Sequence, residues 1–271
     1  MPESPLLHIL IAAFAGLLIG SFLNVCIYRL PRNLSVIAPR SFCPACDATI
    51  PWYDNIPVLS YCILRGHCRQ CHDAIPMHYL LVELTTALLF AFTVAEYGWT
   101  LVSLKWVVFV SILVALFWTD LQNRMLPDEL TLGGSVLGLI FSVLIHLPSA
   151  LAQLVFPAAN PIVQSLCNAA IAALLLAGPL WLVARLYYRV RGREGLGLGD
   201  VKLLILCGVF QGIRDGLLTL LIGAVAGSVI GLVYIWFARK QAGTYELPFG
   251  AFLCAAALVV VLLLPPAWRS I

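Results

Sequence analysis

The stretch LVSLKWVVFVSILVALFWT, residues 101–119, carries one charged side chain, Lys105, in nineteen positions, and Asp120 follows it at once. A segment this long and apolar matches a membrane span, which needs about 20 mainly apolar residues to cross about 30 Å of hydrocarbon. An acid at such a place is costly, so it is a functional candidate from the outset. Working outward, similar runs lie at roughly 6–28, 79–97, 129–147, 162–186, 200–213, 216–238 and 249–265, eight in all. The sixth is short and begins with Asp200 and Lys202. The first is not expected to be a cleavable signal peptide. Residues 1–10 hold no Lys or Arg, and the run continues through Gly16 and Gly20 without an Ala-x-Ala-like site.

Composition agrees with the runs. Of 271 residues, 62% are hydrophobic and 11% charged, and the mean hydropathy is +0.98. A soluble domain would be roughly 45–50% apolar and about 25% charged. Disorder needs low hydrophobicity and high net charge, so it is excluded as well. The net charge of +3, from 16 Lys+Arg against 13 Asp+Glu, is too small and too scattered to suggest a nucleic-acid partner. The expected fold is an all-α polytopic membrane protein with about eight transmembrane helices, in contact with the lipid bilayer.

Basic residues favour the cytoplasmic side of short loops. With both termini outside, the cytoplasmic segments hold 13 of the 16 Lys+Arg, leaving Lys105, Arg214 and Arg269 opposite. The expected topology is therefore N-out and C-out. Three segments follow: residues 1–28 as the first transmembrane helix, 29–78 as a cytoplasmic insert, and 79–271 as a seven-helix membrane domain. No internal repeat is evident. Gly16 with Gly20, and Gly223, Gly227 and Gly231, stand at spacing four, which suits close helix packing in lipid.

The insert contains Cys43-Pro44-Ala45-Cys46 and Cys68-Arg69-Gln70-Cys71, two Cys-x-x-Cys pairs separated by 21 residues. Two such knuckles supply a tetrahedral four-thiolate site for structural zinc, with no open position for catalysis. Redox dithiols and unpaired loop cysteines are the alternatives. A cytoplasmic compartment keeps thiols reduced, which disfavours a structural disulfide. The insert has few large apolar residues, so metal binding would supply its folding free energy. His67 and His72 flank the second pair and are expected to remain outside the ligand set. Cys26, Cys62, Cys167, Cys207 and Cys254 read mostly as small buried hydrophobes.

Asp120 ends the third run, and Asp200 opens the sixth after Gly195-Leu196-Gly197-Leu198-Gly199. The expected topology puts both at the cytoplasmic edge of the bilayer. Two carboxylates in one site share a proton, so one can polarise water while the other protonates a carbonyl or leaving amine. That is the chemistry of an aspartic protease. Taken singly, Asp120 reads as a helix-end acid facing water and the glycines as a flexible loop. Asp128 and Glu129 suit a helix N-terminus. Glu83 is expected to face a cavity or an arginine of the insert, and Asn24 to bond between helices.

These residues resemble the type IV prepilin leader peptidases, also called prepilin peptidase/N-methyltransferases, over nearly the whole chain. The opening segment Gly20-Ser21-Phe22-Leu23-Asn24-Val25 with Tyr28-Arg29-Leu30-Pro31-Arg32 is similar to the family's first motif. So are Asp54-Asn55-Ile56-Pro57 between the knuckles, Leu81-Val82-Glu83-Leu84 after them, and Leu247-Pro248-Phe249-Gly250 near the end. Asp120 with Leu126-Pro127-Asp128, and Gly197-Leu198-Gly199-Asp200, resemble its two catalytic segments. A Gly-x-Gly-Asp element occurs in other intramembrane aspartyl proteases too. Joined to the cysteine knuckles it is distinctive.

The resemblance implies a bifunctional enzyme of the bacterial inner membrane. It would cut the basic leader from prepilins or pilin-like secretion proteins on the cytoplasmic side, after a glycine. It would then methylate the new N-terminus with S-adenosylmethionine. Asp120 and Asp200 would be the catalytic pair, and Asp128 would not. Neither the donor-binding residues nor the identity of the general base can be read from the residues. A peptidase lacking methylation, a non-enzymatic scaffold of a pilus or secretion machine, and a transporter using the same acids are the alternatives.

Overall fold

The structure is a computed structural model that describes residues 5–145, 156, 159–192, 197–238 and 248–263. Among them there are no strands, only the isolated bridges Phe42–Thr49 and His67–Ala74. The helices are α1 (Pro5–Arg29), α2 (Leu59–Ile63), α3 (His78–Tyr97), α4 (Leu101–Asn123), α5 (Asp128–Leu144), α6 (Pro161–Arg191), α7 (Leu198–Ala238) and α8 (Phe249–Leu263). Five of these, α1, α3, α4, α6 and α7, are long and apolar enough to cross a membrane. Large apolar side chains such as Leu10, Phe14, Leu18 and Phe22 stand exposed along α1. Exposed apolar surface on this scale marks a lipid or protein interface.

The helix ends carry ordinary local chemistry. Thr100 and Ser103 bond reciprocally, each hydroxyl accepting from the other's backbone N–H, and so start α4. Asn160 caps α6 by accepting from the Ile162 N–H, with Pro161 at the first position. The other end of α6 closes at Gly192, φ 65°, with Arg189 and Arg191 in the last turn against the negative end of the dipole.

The chain divides into two compact units, Met1–Ala115 and Leu116–Ile271. The division falls inside α4, so Asp120 belongs to the second. In the first unit α1 packs on α3. The reason is visible at Gly16 and Gly20: an added Cβ would lie 2.6 Å from the Ala87 Cα and 2.7 Å from the Glu83 Cα. The expected packing role of the first glycine pair is met here. Asn24 also bonds between helices, its Nδ2 donating to the Tyr79 carbonyl at 3.0 Å.

In the second unit α7 packs on α5, α6 and α8. Along α7, Gly208 abuts Ala173 of α6, Gly212 comes nearest Asn168, and Gly216 abuts Leu176. The contact point moves back along α6 and then forward, so α7 reverses direction at Gly212. There φ is 76° and ψ −175°, a region essentially restricted to glycine. Gln211 and Thr219 bond side chain to side chain at 2.9 Å across the reversal. The runs expected at 200–213 and 216–238 are therefore the two arms of one helical hairpin.

Candidate active site and metal centre

The metal centre belongs to the first unit. Sulfurs of Cys43, Cys46, Cys68 and Cys71 all lie within 4.8 Å of one another. A tetrahedral zinc with Zn–S of about 2.3 Å needs sulfurs about 3.8 Å apart, and the Cys43–Cys71 separation is 3.8 Å. The donor set therefore fits a closed four-thiolate zinc site, and these cysteines can hold a metal ion. His67 and His72 stay outside the cluster, with His67 Nδ1 against the Arg65 carbonyl at 2.7 Å.

Both knuckles are the same turn. Cys43 N–H donates to Ala48 O and Asp47 N–H returns to Cys43 O; Cys68 N–H donates to Asp73 O and His72 N–H returns to Cys68 O. Asp47 and His72 both take left-handed φ, 54° and 58°. A shift of 25 residues thus maps one knuckle onto the other, a repeat carried by backbone and invisible in residue identity. Amides of Cys71 and Gln70 hold the Cys68 thiol down to about 7, which favours the thiolate a metal needs. Between the knuckles Arg69 donates to both oxygens of Asp54 at 2.6 and 2.7 Å, holding that carboxyl below its usual range.

The acid pair lies wholly in the second unit. Asp120 stands near the end of α4 and is 6% exposed, and Asp200 lies in the first turn of α7. The helix start of α8 lies against both. Its Ala251 N–H donates to Asp120 Oδ2 at 2.6 Å, a charge-assisted bond at the positive end of a helix dipole. A methyl placed on Gly250 would sit 3.1 Å from Asp120 Oδ2 and 3.1 Å from Asp200 Oδ1. The two oxygens are therefore no further apart than twice that distance. The sequence brought these acids to one edge only through an assumed topology; the fold brings them to one point.

Glycine keeps that point open. At Gly250 the added methyl would also meet Leu126 Cδ1 at 2.9 Å. Gly199 is similarly crowded, 3.2 Å from Leu126 Cβ, whereas Gly197 meets nothing tighter than 3.6 Å. Gly195 lies outside the described residues. Displacing a catalytic group by about 1 Å can cost about 10²-fold in rate, so Gly250→Ala should slow substrate cleavage by about that factor with little change in melting temperature. Single-turnover cleavage at the wild-type rate would show that the gap has no catalytic use.

Three polar residues acquire partners the sequence left open. Asp128, in the first turn of α5, receives Lys202 Nζ at 2.6 and 2.9 Å, which ties α5 to α7. Being partly exposed, that pair is worth no more than about 1 kcal/mol. Glu83 accepts from the Val58 N–H at 2.7 Å; the partner is an amide where an arginine was one expectation. Gly250 was legible only as part of a familiar motif, since its role depends on contacts some 130 residues away in sequence.

Comparison with known proteins follows the same division. Residues 14–97 match the bacterial peptidase A24 N-terminal domain, and residues 107–232 match the type IV leader peptidase family. A Legionella pneumophila protein named prepilin leader peptidase/N-methyltransferase is 33% identical, the alignment covering 93% of this chain and 90% of that protein. A Pseudomonas putida protein of the same name is 35% identical over 95% and 91%. One from Neisseria gonorrhoeae is 32% identical over 96% and 92%. No solved structure matches the chain. Two adjoining family matches and relatives aligned over nearly their full lengths make this chain a member of the type IV leader peptidase family.

Proposed function

We propose that the protein is a multi-pass membrane aspartic endopeptidase of the bacterial inner membrane that also acts as an N-methyltransferase. It removes the basic leader from prepilins or pilin-like secretion proteins at the cytoplasmic face and methylates the residue so exposed. The observation that carries the reading is the approach of Asp120 and Asp200 to the same point at Gly250. The names of the relatives support both activities.

In cleavage, one carboxylate takes a proton from water as it adds to the scissile carbonyl, and the other donates a proton to the leaving amine. Asp120 is oriented for this by the Ala251 amide, which engages Oδ2. Lys202 is engaged by Asp128, which keeps that ammonium on the neighbouring carboxylate. S-adenosylmethionine supplies the methyl group: the amine lone pair forms the N–C bond, the S–C pair stays on sulfur as a neutral thioether, and the proton passes to water. Zinc on Cys43, Cys46, Cys68 and Cys71 has a structural role. Residues 1–28 form a membrane anchor, 29–78 the zinc-bearing insert and 79–271 the peptidase domain, in an N-out and C-out arrangement supported by the basic-residue bias.

The direct experiment incubates purified enzyme with a pilin-like precursor and S-adenosylmethionine, then reads the product's N-terminus by mass spectrometry. The expected product lacks the leader and gains 14 Da, about the mass of one CH₂. An unprocessed precursor would overturn the peptidase reading. A cut, unmodified product would overturn methylation alone.

A further inference from the structure

A cavity of about 410 Å³ opens in the first unit between the second half of α1 and the insert. Its size is within the range of small-molecule sites, roughly 300–1,000 Å³. Phe22 and Val25 of α1 give it an apolar side, and Arg40, Trp52 and Asn55 of the insert bring a guanidinium, an indole and an amide. Trp52 is 75% exposed, a large apolar surface that a bound aromatic would cover.

The walls are built by buried charge. Arg29, 4% exposed, donates to the carbonyls of Ser35, Pro39 and Arg40 at 2.8, 2.8 and 3.2 Å. Its whole reach is spent on fixing the loop that carries Arg40. Opposite, Glu83, also buried, holds the Val58 N–H next to the lining residue Pro57. Val58 sits at φ 61°, ψ −49°, a backbone region that a β-branched residue strongly avoids. Strain of this kind gathers at ligand clamps. Burying two charges is costly in itself, and here both are spent on the shape of one cavity.

We propose that this cavity is the S-adenosylmethionine site, an inference that rests on the methyl-transfer reading above. The ligand has a purine for the indole of Trp52, a carboxylate for the guanidinium of Arg40, and polar base or ribose edges for the amide of Asn55. Neither Asp120 nor Asp200 lines it, so binding of the methyl donor and cleavage are separable by mutation.

The test is equilibrium dialysis of the purified full chain against radiolabelled S-adenosylmethionine, followed by photo-crosslinking and peptide mapping. Trp52→Ala and Arg40→Ala should each weaken binding at least about tenfold, while Trp52→Phe stays within about threefold of wild type, as stacking requires. Bound zinc and precursor cleavage report folding of the variants. Label crosslinked to the peptide containing Trp52 supports the site. Unchanged affinity in both alanine variants overturns the location and leaves methylation standing. A wild-type enzyme that cleaves precursor but binds no S-adenosylmethionine overturns both. A co-purifying anionic lipid found by mass spectrometry, lost in Arg40→Ala while S-adenosylmethionine binding is unchanged, would make the cavity a lipid site and also overturn the proposal.

Discussion

Asp120→Asn and Asp200→Asn should each reduce precursor cleavage by about 10³-fold or more, within the range that general acid–base groups contribute. The substitution conserves shape and removes only the capacity to take or pass a proton. At Asp120 the argument is sharpest, because the carboxamide oxygen of asparagine can still accept from the Ala251 N–H that Oδ2 now engages at 2.6 Å. The orienting bond survives and the chemistry does not. Both variants should insert normally in the membrane, retain zinc, and methylate a substrate already cut, since the amine needs no acid pair. Electrophoretic shift of a precursor in detergent or proteoliposomes measures cleavage. A rate within tenfold of wild type from either variant would be incompatible with a shared-proton pair.

The second large effect concerns the insert. Exchanging Cys43 and Cys46 together for serine should abolish the one zinc expected per chain, and a strong chelator should do the same to the wild-type protein. Structural zinc contributes about 10–16 kcal/mol to small metal-dependent folds at pH 7. Residues 41–75 should therefore lose hydrogen-exchange protection without the metal while the membrane helices keep theirs. Acid should release the metal too, because a thiolate that accepts a proton ceases to be a ligand. Cys68, held down to about 7, retains its thiolate to lower pH than an ordinary cysteine. Full zinc content in the double variant, by elemental analysis, would remove the four-cysteine assignment.

Much of this was legible because membrane helices announce themselves by length and charge scarcity. Every expected run coincides with a helix or an arm of one, although residues 146–147 and 264–265 of the expected ranges lie outside the described residues. The break between the sixth and seventh runs was read at 213–216, close to the reversal at Gly212. The knuckles were found from cysteine spacing, but their equivalence was not, because Pro44-Ala45 and Arg69-Gln70 share no residue type and the likeness resides in the left-handed backbone at Asp47 and His72. Glu83 stood out as a buried acid, yet its partner is a backbone amide, which has no signature in sequence. Contacts that set the gap at Gly250 join α4, α7 and α8, and no local pattern could state them.

The reversal at Gly212 also has a consequence for the lipid. The first arm of α7, Leu198 to Gln211, is about 21 Å long at 1.5 Å per residue, against about 30 Å of hydrocarbon. With its turn at one boundary, the end bearing Asp200 falls short of the other by nearly a third of the film. Such hydrophobic mismatch is met by local thinning of the bilayer. Hydrolysis consumes water, and a dimple in the lipid surface carries bulk water down to the carboxylates without any channel through the protein.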